Sequence, residues 1–290
     1  MVIKEINCKT AISKCKFPDG GWAINPYIGC SHGCIYCYAR FMKKFTKHTE
    51  RWGDFVDVKI NMPEILSKEI KKERYKNGNI YVGTVTDPYQ PLEEKYEITR
   101  KVLEILSEYP YPVSILTKSD LVLRDIDILK RFKNVDVNFT LNTLDEDWKN
   151  LVEPNSPPIE NRILAISKLK EENIKVYAMM GPFWPFFSDA EELIKTFKVL
   201  GIEEIYTESF NTIGGTFTEV EDRMAQYYPN ILPRMKEILF NKDNFNNFYS
   251  LIRENLFELS KQYGIKINIY FGRGHSKFKE TTFTSSSYDV

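Results

Sequence analysis

This sequence predicts an α/β fold built on parallel strands, on three observations. Short runs rich in β-branched and aromatic residues alternate with amphipathic stretches from residue 79 onward. In each pair the strand comes first, and the pairs recur at roughly 25–35 residues, which implies parallel strands with right-handed crossovers. The third observation is size: 290 residues, 42% of them hydrophobic, are enough for one large core or two modest ones. A barrel, whole or partial, and an open doubly wound sheet both satisfy this pattern, and periodicity alone does not separate them.

Taken in order, a first strand is expected near residues 22–25, just ahead of a cysteine-rich segment. Residues 79–86 (NIYVGTVT) form the next, followed by a helix over about 96–107. Residues 113–117 lead to a helix at 120–131, 135–141 to a helix at 160–172, and 174–180 through a Pro-rich loop to a helix at 189–200. Residues 202–207 make a further strand. Beyond it, 241–263 reads as one long Asn- and Phe-rich helix and 265–270 as a last strand, with a Ser/Thr-rich tail from Lys279 expected to be mobile. The expected division is an extension at 1–21, a core at 22–215, and a C-terminal helical region and tail at 216–290.

Charge is balanced, with 40 Lys and Arg against 40 Asp and Glu. Nothing global draws the chain to nucleic acid or an anionic membrane, although a local basic groove is compatible with neutrality. The first residues carry charges and no apolar stretch of the signal-peptide kind. No apolar run approaches the ~18 residues that span a bilayer. A cytoplasmic protein with no membrane partner is expected.

Five cysteines are too few and too unevenly placed for a disulfide framework. Cys30, Cys34 and Cys37 stand in one C-x3-C-x2-C loop. Three soft thiolates on one tight loop suit an iron–sulfur cluster or zinc. Structural zinc normally takes a fourth ligand, no second cysteine pair lies downstream, and His32 is wedged between two of the thiols. A [4Fe–4S] cluster on three thiolates leaves one iron open to a cofactor or substrate. Gly29 and Gly33 permit the tight turns, and Tyr36 offers an aromatic face to a purine.

The C-x3-C-x2-C spacing with an aromatic before the last Cys resembles the signature of the radical S-adenosylmethionine (SAM) superfamily. The run NPYIGC at Asn25–Cys30, GTVTDPYQP from Gly83 to Pro91, Thr117-Lys118-Ser119 with Arg124 and Asp125, and Glu153-Pro154 resemble its spore photoproduct lyase-related, DNA repair photolyase-like branch. That resemblance covers about Asn25 to Gly181. It implies a partial (β/α)6, TIM-like barrel closed by C-terminal helical additions, with a [4Fe–4S] cluster and SAM as cofactors. It further implies reductive cleavage of SAM to a 5′-deoxyadenosyl radical that abstracts hydrogen from a substrate, driven by an external donor of the flavodoxin or ferredoxin type.

The resemblance also implies roles for particular residues. Tyr36, Lys118, Thr140, Asn142, Glu153 and Arg162 would contact SAM: Lys118 its carboxylate, Thr140 and Asn142 its ribose or amine, Glu153 with Arg162 its carboxylate end. Each has an ordinary alternative, as a solvated charge, a strand-end turn or a surface pair. Asp87, Tyr89 and Gln90 follow a strand and are expected to open onto the cavity, with Pro88 and Pro91 stiffening the loop; Tyr89 is the candidate catalytic residue, as a substrate stacker or hydrogen-atom relay, against a plain packing role. The 181–187 loop (GPFWPFF) would either stack on a planar substrate or be buried, and Arg273, His275 and Lys277 make a basic patch.

One departure from that branch stands out: no cysteine follows Cys37, whereas the lyases proper use one there as hydrogen donor. Only Cys8 and Cys15 remain, too few for an all-Cys second cluster. The substrate class stays open between a nucleic acid and a small molecule or peptide. A non-catalytic iron–sulfur or zinc protein is the reading from outside enzymology.

Overall fold

Parallel strands alternating with helices make up most of the computed structural model, which describes residues 1–17, 20–72, 75 and 78–272. The basic patch at Arg273, His275 and Lys277 and the tail from Lys279 lie outside the described residues. The chain groups into two compact units, residues 1–139 with 153–176, and residues 140–152 with 177 onward. Their boundaries fall near the middle of the chain, where a segment of each is inserted in the other.

The first unit holds β1 (Val2–Ile6), β2 (Ile12–Lys14), β3 (Trp22–Ile24), β4 (Tyr27–Ile28), β5 (Phe55–Lys59), β6 (Ile80–Val82), β7 (Val113–Thr117) and all but the last residue of β8 (Val135–Thr140). The order β2-β3-β6-β7-β8 forms one sheet, in which β2 runs antiparallel to β3 and every later pair is parallel. Ile80, Val82, Val113, Ile115, Val137 and Phe139 are at most 1% exposed. Burying each such side chain contributes about 1.5–3 kcal/mol, and in β8 the buried residues alternate with half-buried Asp136, Asn138 and Thr140. Spatial order follows chain order without reversal, the progression of a barrel wall and not of a doubly wound sheet.

A small second sheet, β1-β5-β4, was invisible to pattern reading. Its strands are two to five residues long, and β1 pairs in parallel with β5 across fifty residues. Short strands supported only by a distant partner carry little local signal.

Two helices differ from expectation for a shared reason. Residues 120–131 form a 3-10 helix (Asp120–Asp125) and then a short α-helix (Ile126–Leu129). The fully buried Asp125 carboxylate accepts from Arg100 at 2.8 Å and Arg124 at 2.7 Å. Likewise the 96–107 helix is split at Glu97, and buried Glu93 accepts from the backbone N–H groups of Thr99 (2.9 Å) and Arg100 (3.1 Å) at the start of helix Ile98–Leu106. Contacts of a buried carboxylate outweigh helix propensity at both places.

The second unit contains β9 (Lys175–Phe183), β10 (Glu204–Ser209) and β11 (Lys266–Tyr270), parallel and in that order. Helices Ala190–Val199, Thr218–Tyr227, Leu232–Phe240 and Lys242–Tyr263 accompany them, the last capped by the Asn241 side chain and ended by Gly264 at φ +60°. Neither unit closes into a barrel. Among the described residues no helix is long and apolar enough to cross a membrane.

Candidate functional site

The cysteine loop leaves β4 and is fixed on both flanks within the first unit. Asn25 donates to Thr84 Oγ1 (3.0 Å) and accepts from the Val85 N–H (2.9 Å), tying the loop to the end of β6. Gln90 Oε1 accepts from the Ser31 N–H at 2.9 Å, and Thr86 donates to the Gly29 carbonyl at 2.7 Å. From the other side Asn155 donates through Nδ2 to Ser31 O (3.0 Å) and through its backbone to His32 O (3.2 Å). Two successive turns, Cys30 O to Gly33 N and Cys34 O to Cys37 N, both 3.1 Å, wind the segment that carries the thiols.

Gly29 is the tightest point. It sits at φ +86°, and a Cβ there would lie 2.3 Å from the Phe55 carbonyl oxygen. Gly29→Ala is therefore expected to lower stability by about 2 kcal/mol or more and to reduce iron uptake on reconstitution. An unchanged urea midpoint with full iron content would contradict the reading of this turn.

Cys30 and Cys34 are buried, at 7% and 8% exposure, and Cys37 is half-buried. Burial pushes the Cys34 thiol well up, with Glu153 adding to the effect, and raises Cys37 to about 11, with Cys30 contributing. Thiols so placed ionise readily only beside a cationic group, which is the condition of metal ligation. Among the described residues no three His, Cys, Asp or Glu side chains stand close enough to hold a single ion. Three thiols coupled through their charges on one glycine-turned loop fit, in kind and number, a multi-iron cluster bound through separate irons.

Next to this loop lies a buried charged group. Glu153, fully buried, accepts from Arg162 Nη2 at 2.5 Å and Ser156 Oγ at 3.1 Å, and also from the Tyr36 hydroxyl. Lys118 Nζ stands 4.0 Å from Glu153 and 6.0 Å from the Tyr36 ring centre. Burial opposes the charge on Glu153, but Arg162 and Lys118 outweigh it and hold its carboxyl at about 2. Burial likewise opposes a charged Lys118, and Glu153 and Cys34 more than offset this, raising its pKa. Arg162 also donates to the Pro157 carbonyl at 3.0 Å and is 1% exposed, whereas the Lys118 side chain is 19% exposed.

The turn carrying Lys118 is set by Asp87, which accepts from the Lys118 N–H (2.8 Å) and the Thr117 hydroxyl (2.7 Å). His32, 1% exposed, places Nδ1 3.3 Å from the same carboxylate. Burial alone would lower the His32 pKa, but the charges of Asp87 and Cys30 raise it to about 9. Tyr89 and Gln90 are both 0% exposed: Gln90 faces the cysteine loop at Ser31, and the Tyr89 hydroxyl donates to Asp125 at 3.1 Å.

The structure thus brings together Cys30, Cys34, Cys37, Tyr36, Lys118, Glu153 and Arg162 in the first unit. Thr140 and Asn142 belong to the second, where Asn142 donates to Gly181 O at 3.2 Å and accepts from Ser188 Oγ at 2.5 Å through its carbonyl. The 181–187 loop is largely packed away there: Trp184 is fully buried, Phe187 stacks on Trp148 at 3.7 Å, and Phe186 is the exposed ring. Sequence reading missed Asn155, which with Gln90 is one of the two amides that grip the cysteine loop. The signal for Asn155 was its place directly after Glu153-Pro154. Cys8 is held by Asn61 through both its N–H (2.8 Å) and carbonyl (3.0 Å), and Cys15 is buried beside the β2–β3 hairpin.

Residues 24–197 match the sequence model of the radical SAM superfamily. An uncharacterized protein of Methanocaldococcus jannaschii is 37% identical over 246 residues, covering 85% of this chain and 90% of its own length. The radical SAM Nalpha-GlyT isomerase of Pseudomonas phage M6 is 28% identical over 162 residues, 55% of this chain and 32% of that protein. Spore photoproduct lyase complexed with dinucleoside spore photoproduct shares the fold, with a TM-score of 0.68 at 15% identity, over 93% of this chain and 82% of the lyase.

Proposed function

The chain belongs to the radical SAM superfamily, and from that premise we propose that it cleaves SAM reductively and abstracts hydrogen from a nucleic-acid component. Its cofactors are a [4Fe–4S] cluster and SAM. Bound together, they supply one-electron cleavage of the sulfonium to methionine and a 5′-deoxyadenosyl radical that takes a hydrogen atom from the substrate. The observation that carries the proposal is the juxtaposition of the three-thiol loop with the charged group at Lys118, Glu153 and Arg162.

Cys30, Cys34 and Cys37 would hold the cluster. Lys118 is the cation of the group with solvent access, so it is the one placed to meet the SAM carboxylate. Glu153 and Arg162 neutralise one another and act by positioning: Glu153 fixes the Tyr36 hydroxyl and draws the Lys118 ammonium toward the cysteine loop. Asp87 aims the Lys118 backbone. We assign Tyr89 a bracing role, since its hydroxyl is engaged with Asp125 inside the wall. Thr140 and Asn142 remain proposed SAM contacts on the resemblance alone.

A nucleic-acid component as substrate is supported by the lyase that shares the fold, which was solved with dinucleoside spore photoproduct. The missing downstream cysteine argues against the lyase reaction itself. Reconstituted protein given dithionite, SAM and deuterated DNA or RNA should move deuterium into 5′-deoxyadenosine. Label arriving only from peptides or small molecules would assign the substrate elsewhere. Lys118→Ala is expected to weaken SAM binding about tenfold or more while the iron–sulfur spectrum persists. Unchanged SAM affinity would remove Lys118 from the site.

A further inference from the structure

The 3-10 helix Tyr38–Phe45 begins directly at Cys37, the half-buried member of the three thiols. Between residues 38 and 51 five Lys or Arg stand against a single Glu, in a chain whose total charge is zero. The one acid, Glu50, is turned to His48 at 2.9 Å. Lys44 and Lys47 are exposed and make no ion pair among the described residues. Two large apolar side chains stand out of the same surface, Phe45 at 74% exposure and Phe41 at 41%. Exposed aromatics ringed by one sign of charge mark an interaction surface.

Behind this surface the packing leads to the thiols. Cys30, Ala39, Trp52 and Phe55 form one buried apolar cluster, against which Cys37, Tyr38 and Met42 pack. The Tyr36 side chain departs toward Glu153 and Lys118 instead. The basic, aromatic surface therefore adjoins the apolar flank of the cysteine loop and not its charged, SAM-facing flank. At its C-terminal end the segment is anchored on the same cluster by His48, which stacks on Phe55 at 4.1 Å and meets Asp57 at 2.8 Å.

We propose that the face formed by Phe41, Lys44, Phe45 and Lys47 docks a small acidic one-electron carrier protein, which delivers its electron through the Cys37 side of the loop. The inference rests on the proposed function and names a partner of that same site. In the transfer the reduced carrier loses one electron and the cluster gains it; no bond forms or breaks. Charge complementarity selects an acidic partner, and electron transfer weakens steeply with distance, which favours a landing site one helix away from a ligand. Redox encounters are small and electrostatically steered, which suits a basic surface with one aromatic knob. Phe41 and Phe45 meet edge to face at 87°, forming one apolar knob and not two parallel platforms for successive bases.

The test uses a flavodoxin, an acidic carrier with one FMN, and reconstituted protein as wild type, Lys44→Glu/Lys47→Glu and Phe45→Ser. Flavodoxin affinity by fluorescence anisotropy is expected to fall about tenfold in the double variant at low salt, with the difference nearly vanishing at high salt. Phe45→Ser should lose affinity at both salts. Flavodoxin-driven SAM cleavage should fall in parallel while dithionite-driven cleavage matches wild type, showing intact fold and site. Unchanged flavodoxin affinity in both variants overturns the proposal. So does loss of affinity for single-stranded DNA with flavodoxin binding retained, which would make this a nucleic-acid face. Failure of the wild type to cleave SAM with dithionite strikes the proposed function instead, and the affinities still decide the docking surface.

Discussion

Cys34→Ala is expected to abolish iron retention and to cut SAM cleavage by at least about 100-fold. With Cys34 gone, two thiolates remain for a cluster, and the loop has no substitute to offer. His32, the nearest other donor in sequence, is 1% exposed and committed to Asp87 at 3.3 Å. The loop itself is held by Gln90, Thr86 and Asn155, so it does not readily shift to present another group. Cys30→Ala and Cys37→Ala should behave alike. Cys8→Ala should retain the cluster, because Asn61 holds Cys8 by its backbone and burial raises the thiol pKa. Iron analysis and the visible spectrum of each purified, reconstituted variant decide this. Full iron and full activity in Cys34→Ala would sink the assignment.

Arg162→Met is expected to destabilise the cluster-free protein by about 3–5 kcal/mol at neutral pH, because it strands the Glu153 carboxylate in a site with no exposure. The acid dependence gives a second reading. The Glu153 carboxyl is held at about 2 in the folded chain, below the ordinary carboxylate range near 4. Its contribution is present above that ordinary range and is lost as pH falls through about 2. In Arg162→Met the carboxyl should titrate higher, so the gap from wild type should narrow as pH falls. Arg162→Met with Glu153→Met should recover most of the loss, since a well-packed apolar pair replaces a buried ion pair at little cost. Urea unfolding across pH measures all three proteins. Unchanged stability with weakened SAM binding would instead make Arg162 a SAM ligand.

Strand positions in the parallel sheet were legible because short runs rich in β-branched and aromatic residues precede helical patterns: 113–117 coincides with β7, and 135–141 overruns β8 by one residue. The cysteine loop was legible because its three thiols stand at one short spacing, C-x3-C-x2-C, with Gly29 and Gly33 beside them. The β1-β5-β4 sheet was not, since its pairing is decided by contacts fifty residues apart. The broken helix at 120–131 depended on where Arg100 and Arg124 would find the Asp125 carboxylate. At the site, sequence put Glu153 and Arg162 on the same list as Lys118, but only burial separates a closed ion pair from the one cation with solvent access. Tyr89 follows the same rule: a strand-end tyrosine reads alike whether it faces a cavity or, as here, a buried aspartate.

The central claim is reductive SAM cleavage at the Cys30, Cys34 and Cys37 loop. The most direct measurement is anaerobic: reconstitute the protein with iron and sulfide, add dithionite and SAM, and quantify 5′-deoxyadenosine and methionine by mass spectrometry. Both products should form from the wild type and be absent from each of the three cysteine variants. A protein that binds about four irons yet neither binds nor cleaves SAM would contradict the account and leave the cluster a structural or electron-carrying group.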